Sequence, residues 1–241
     1  MPKSRRLLVL SALLIPAALG FAALKWLPRP QLRATLGRNK ISRALETNFD
    51  RTFEPVIRRV EVKDFTARQI VKAAHAQEGD DYDAEYRQIA YPGGDIPRGA
   101  GACTDVVIRG LRAAKIDLQR EIHLDMQRDF RRYGDKWHLG HTDKNIDHRR
   151  VPNQITYFKK YALTLPLGTT GADLKSWQPG DIVMWHLPGN KWHTGLVSDG
   201  IGPRGLPLVI HNAYQCAEQD YLDNWPLIGH FRVRGVGANL S

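Results

Sequence analysis

The apolar pattern of this chain changes period once, and that change limits the folds open to it. Between about residues 67 and 133 the apolar positions recur at helical spacing: Ile70, Val71 and Ala74 in one run, Val106, Val107, Leu111 and Ala114 in another. Beyond about residue 180 they come in short runs, Asp181 to His186, Trp192 to Ser198 and Leu206 to His211. Leu187-Pro188-Gly189-Asn190 and Asp199-Gly200 divide them. The first pattern reads as amphipathic helices, the second as strands joined by turns. Helices first and strands after make an α+β domain whose strands form an antiparallel meander.

Local signals place the elements. Thr66-x-x-Gln69 has the form of a capping box and predicts a helix from about Ala67 to Gln77. A loop rich in Gly and Pro, from Tyr91 to Gly101, runs directly into Cys103. A helix is expected from Thr104 to Lys115, with Cys103 at its start, and another from about Leu124 to Tyr133. Residues 134–160 read as polar and irregular, and Ile228 to Val233 as a last strand.

Composition narrows the class. With 241 residues, 42% hydrophobic content and six Trp, the chain is long and apolar enough for a true core. Two cysteines exclude a disulfide scaffold and a four-cysteine zinc site. The net charge of +10 resembles a nucleic-acid signal until it is mapped. Residues 1–60 hold 12 Lys/Arg and 3 Asp/Glu, whereas residues 61–241 hold 23 and 22. A nucleic-acid-binding domain carries its basic patch on the folded body, so no nucleic-acid partner is expected.

The N-terminus accounts for part of the charge. Lys3, Arg5 and Arg6 precede an apolar run from Leu7 to Leu24. That order reads as a secretory signal, or as a retained anchor just long enough to span a bilayer. The cations that follow, Lys25 to Lys40, leave topology open. The division expected is residues 1–25 as signal or membrane anchor, 26–59 as a basic tether, 60–235 as the folded domain with an insert at about 121–165, and 236–241 as a tail. The protein is expected in the periplasm or cell envelope, as a monomer.

Cys103 is the strongest chemical candidate. At a helix start, free N–H groups and the helix dipole stabilise a thiolate, and the same N–H groups can hold an oxyanion. Such a thiol needs an imidazole as base and a third polar group to orient it. His186, His193 and His211 are the candidates on the strands. Neighbouring antiparallel strands can bring His193 and His211 together. Asn212 is the runner-up for the third role, although strand alternation turns it to the opposite face, and it is expected among the substrate contacts with Tyr91, Asp147, Arg149 and Arg150. A Cys103–Cys216 disulfide is the competing fate in an oxidising compartment.

Four blocks in order carry a resemblance: Gly101-Ala102-Cys103-Thr104-Asp105-Val106-Val107, Asn145-Ile146-Asp147-His148-Arg149-Arg150-Val151-Pro152-Asn153, Val209-Ile210-His211-Asn212 and Gly229-His230-Phe231-Arg232. Together with Pro179-Gly180-Asp181-Ile182-Val183 and His193-Thr194-Gly195-Leu196-Val197, they resemble domain-of-unknown-function family 1287, an outlying branch of the NlpC-type papain-like cysteine peptidases. The resemblance implies a papain-like fold and cleavage of an amide bond in cell-wall peptides, without a cofactor or metal. It assigns Cys103 as nucleophile, His193 as general base and His211 as the orienting residue, and it places Tyr91, twelve residues before Cys103, beside the site.

Other residues have competing readings. Asp147 to Arg150 could form a substrate wall, with Arg149 or Arg150 holding a peptide carboxylate in a bidentate contact. His138, His141, Asp143, Asp147 and His148 fit no zinc spacing and read as a polar loop. His75 and His123 read as surface or packing residues, and Trp177, Trp185, Trp192 and Trp225 as core or groove wall. Two other functions compete with hydrolysis: a non-catalytic envelope-binding module of the same fold, and thiol-dependent acyl transfer involving lipid.

Overall fold

The structure is a computed structural model that describes residues 57–234. The signal or anchor, nearly all of the basic tether and the C-terminal tail lie outside the described residues. Among the described residues no helix is long and apolar enough to cross a membrane.

Helix α1 spans Phe65–His75 and starts two residues before its expected position. The Asp64 carboxylate accepts the Ala67 N–H at 2.7 Å, so Asp64 is the cap, and Thr66 and Gln69 lie inside the helix. A carboxylate at that position satisfies a free N–H and complements the dipole. Asp64→Ala is expected to lower stability by about 1 kcal/mol, measured as a shift in urea midpoint.

Two short strands follow, β2 (Asp81–Tyr82) and β3 (Ala100–Gly101), after an edge strand β1 (Arg58–Arg59). Strand β3 leads into helix α2, Cys103–Ala113, close to its expected bounds. The next stretch divides into α3 (Leu118–Arg128) and α4 (Phe130–Tyr133) rather than one helix from Leu124. Asp129, at φ −148°, breaks the run between them. The polar stretch also holds more order than expected: a 3₁₀ turn at Asp147–Arg149 and helix α5 at Val151–Tyr161. Pro152 sits in the first turn of α5, where its missing N–H leaves no bond unmade, and Val151 and Phe158 are buried.

Beyond β4 (Leu163–Thr164) and a single turn α6 (Gly171–Leu174) come five strands: β5 (Ile182–Leu187), β6 (Lys191–Ile201), β7 (Pro207–Asn212), β8 (Cys216–Gln219) and β9 (Leu227–Arg232). The sheet order is β4-β9-β5-β6-β7-β8, with β1 added against β6. Strands β5 to β8 form the expected meander, with β8 as an unforeseen fourth strand. Strand β9 departs from it by returning to the free edge of β5.

Strand alternation divides the sheet into two apolar faces. Ile182, Met184, Leu196 and Ile210 pack with α1, α2, α3 and α5. Val183, Trp185, Val197 and Val209 pack on the other side with Trp177 and Leu222. Gly110 allows α2 to lie close to β6, because a Cβ there would meet Leu196 Cδ1 at 2.6 Å.

Candidate active site

Cys103 is the first residue of α2 and is 5% exposed. Strand β3, just before it, pairs in parallel with β2, Tyr82 opposite Gly101. Asn212 locks this entry: its Nδ2 donates to the carbonyls of Gly101 (2.8 Å), Asp80 (3.1 Å) and Asp81 (3.2 Å). The register β6–β7 pairs Leu196 with Ile210 and Val197 with Val209. Closer to the start of β6, the backbone of Thr194 faces the Cys103 sulfur, and its N–H group, with those of Thr104 and Cys103, favours the thiolate. Burial nevertheless dominates and pushes the thiol up to about 12, with the Asp105 charge acting in the same direction.

His193 is the residue beside Thr194, and alternation turns its ring opposite to the Thr194 side chain. There His193 Nε2 and His211 Nδ1 lie 2.8 Å apart. His193 stacks on Trp185 at 5.6 Å and meets Trp225 at 5.7 Å, while Tyr221 lies 5.5 Å from His211. The two histidines therefore share one aromatic box. His193 Nε2 is held by His211, which leaves Nδ1 as the ring nitrogen for another partner. Nε2 of His211 makes no hydrogen bond of ordinary geometry, and Gln219 is the polar side chain near it.

Desolvation lowers His193 to about 3, with His211 adding like-charge repulsion, and lowers His211 to about 4. His148, buried by the 3₁₀ turn, is likewise lowered to about 3. Their ordinary value is about 6.5. The unfolded chain therefore takes up protons below pH 6.5 that the folded chain refuses. The stability these groups carry is complete above that pH and is lost as the pH falls toward 4 and 3. His75, raised mainly by Glu78, acts in the opposite sense above pH 6.5. The expected result is a stability that falls steadily from pH 6.5 to 4.5, by up to about 1.4 kcal/mol per pH unit for each buried imidazole, read as a falling melting temperature. A flat profile there would contradict three neutral buried rings.

The remaining expected site residues are dispersed. Tyr91 packs edge-on to His123 at 5.1 Å with Lys144 above it at 5.6 Å, on the insert. The tyrosine beside Cys103 is Tyr82, whose phenol is raised by burial and then by the charges of Cys103 and Asp105. Sequence reasoning missed it, because a two-residue strand has no period to read. Arg149 departs from the expected substrate wall: its guanidinium is buried against Asp105 at 2.9 Å and cannot receive a peptide carboxylate. Asp147 is 2% exposed, accepts the Asp143 N–H at 2.5 Å and pairs with Arg150 at 3.1 Å, so it too is structural. Arg150 is half-buried and lies over Trp137 at 3.9 Å, which leaves it the wall residue with an accessible edge. Asn212 acts as the lock described above and does not face a substrate. Cys103 and Cys216 are both free and buried in this structure.

His186 lies at the end of β5 against Asn190 (3.0 Å), apart from the histidine pair. Elsewhere, His75, Asp199 and Glu218 bring ligand atoms within 4.8 Å of one another. Arg59 bonds both carboxylates, at 2.6 Å to Asp199 and 2.5 Å to Glu218. That group therefore reads as an ion-pair cluster fastening β1 to the sheet.

The fold is an α+β domain in which a helix-start thiol packs against an antiparallel sheet that carries a buried histidine pair. The family model for a domain of unknown function, DUF1287, matches residues 67–233. The chain belongs to that family. It is 49% identical over 152 residues to an uncharacterized protein of Escherichia coli (strain K12), YijF, covering 63% of this chain and 73% of that one. Among solved structures it is similar to NlpC1 and NlpC2 from Trichomonas vaginalis, each at 14% identity and a TM-score of 0.40 over 72% of this chain. It is also similar to an NLP/P60-family protein, similar to lipoprotein, from Staphylococcus aureus subsp. aureus Mu50, at 17% identity and a TM-score of 0.36 over 81% of this chain. The chain spans about half the length of these structures, 45%, 48% and 49%.

Proposed function

We propose that this protein is an exported cysteine hydrolase that cleaves an amide bond in cell-wall peptides. The observation that carries the reading is a thiol at a helix start facing the backbone of Thr194, one residue along β6 from the hydrogen-bonded His193–His211 pair. In the proposed reaction the Cys103 sulfur attacks the amide carbon as its proton passes to His193 Nδ1. The helix-start N–H groups hold the oxyanion. The C–N bond breaks as His193 returns the proton to the leaving amine, leaving a thioester on Cys103. Water, deprotonated by His193, then adds to the thioester; the C–S bond breaks, the carboxylic acid leaves and His193 returns the proton to the sulfur. His211 holds the His193 ring through Nε2. Both groups start neutral, so attack and proton transfer occur together rather than from a preformed ion pair.

That same neutrality supports a second reading. A sealed thiol pushed up to about 12 also suits a domain that binds wall peptides without cleaving them. Incubating purified protein and Cys103→Ala with muropeptides, followed by mass analysis, separates the two. Products made by the wild type and absent with the variant support hydrolysis. Binding without products from any muropeptide supports the module.

A further inference from the structure

Two of the four sequence blocks, Gly101–Val107 and Asn145–Asn153, meet in one buried ion pair. Arg149 Nε lies 3.0 and 3.3 Å from the two Asp105 oxygens, and Nη2 lies 2.9 Å from Oδ2. The other contacts of the fork are also committed: Nη1 donates to the Glu85 carbonyl at 2.7 Å and Nη2 to the Asp83 carbonyl at 2.9 Å. Asp105 Oδ2 in turn accepts the Ala102 N–H at 2.7 Å, one residue before the thiol. The Thr104 hydroxyl donates to the Arg149 carbonyl at 3.1 Å. One guanidinium thus ties the 83–85 loop, the 3₁₀ turn and the first turn of α2 together around Cys103.

A fully buried pair is a poor way to stabilise a fold, because desolvation offsets most of the attraction. The side chains are 2% and 4% exposed. The placement has a clearer use. The carboxylate that caps α2 also brings a negative charge two residues from the sulfur, where it opposes thiolate formation. The arginine supplies the matching positive charge and fixes the carboxylate in its capping position. We propose that Arg149 is a positioning residue for Cys103, holding the Asp105 cap in place and cancelling the charge it brings to the nucleophile. This rests on the reading of Cys103 as the nucleophile. Tyr82 on β2 is the other ionisable group coupled to the sulfur among the described residues.

The test is the rate at which iodoacetamide alkylates Cys103 in the full chain at pH 8.5, resolved from Cys216 by peptide mass. Arg149→Gln is expected to slow alkylation about tenfold, the effect of raising the thiol by about one unit. Adding Asp105→Asn, whose amide oxygen keeps the cap, is expected to restore the rate to within about threefold of wild type. A merely structural role predicts the reverse, since loosening the turn exposes the thiol and speeds alkylation. A rate in Arg149→Gln equal to or above wild type overturns the proposal, as does a slowed rate that Asp105→Asn fails to rescue. Arg149→Lys keeps the charge but not the fork, and is expected about threefold slower than wild type. It carries the test if Arg149→Gln does not fold, with a rate at or above wild type again overturning the proposal. Alkylation is independent of cleavage. Wild-type protein that cleaves nothing yet follows this pattern sinks the hydrolase and leaves the positioning role standing.

Discussion

Cys103→Ala is expected to lower muropeptide cleavage by at least about 10³-fold, because removal of a nucleophile leaves only binding and oxyanion contacts to act. The fold should survive. The lost atom is one buried sulfur, and the first turn keeps its Asp105 cap, so the stability change should stay near 1 kcal/mol. A folded variant with the wild-type rate would remove the thiol from the reaction. A variant that loses both activity and its cooperative melting transition would instead report a packing role for Cys103. Measuring product formation and thermal melting on the same preparation separates these outcomes.

Gly195→Ala is the second large effect. The histidine pair is diagonal across β6 and β7, and Gly195 is what allows His211 to lean toward His193. A Cβ at Gly195 would sit 2.8 Å from the Ile210 carbonyl oxygen and 2.9 Å from His211 Cβ. Neither neighbour is the end of a flexible chain, so β7 must move. Overpacking of this kind costs about 1–3 kcal/mol. A shift of about 1 Å between reacting groups costs on the order of 100-fold in rate. The expected outcome is a fall in melting temperature together with a loss of cleavage of about that size. Binding of an uncleaved peptide should change far less, because the pair sits in its own aromatic box. Full activity in Gly195→Ala would show that the His193–His211 contact is not needed for turnover.

Much of this architecture is legible in the sequence. The apolar period placed α1, α2 and four strands of the sheet within a few residues. The parity of β7 separated His211 from Asn212, and the structure keeps them on opposite faces. The errors have local causes. Asp64 outcompeted Thr66 as a cap because a carboxylate at that position reaches the free N–H at 2.7 Å. Helix α5 was hidden by its polar face and by a proline that its first turn tolerates. Tyr91 was chosen by distance along the chain, whereas the β2–β3 pairing brings Tyr82 to Gly101.

By itself, then, the sequence determined the α+β class, the thiol at a helix start and the two strand histidines. Each rests on a period or spacing that a short segment carries alone. Only the tertiary structure decided which polar groups were already taken. Arg149 and Asp105 lie 44 residues apart in the chain, and Asn212 reaches Gly101 across 111. No local pattern encodes such partners. A buried guanidinium or amide must be satisfied by whatever the fold brings within hydrogen-bond reach, and here that need turned two expected substrate contacts into the frame around Cys103.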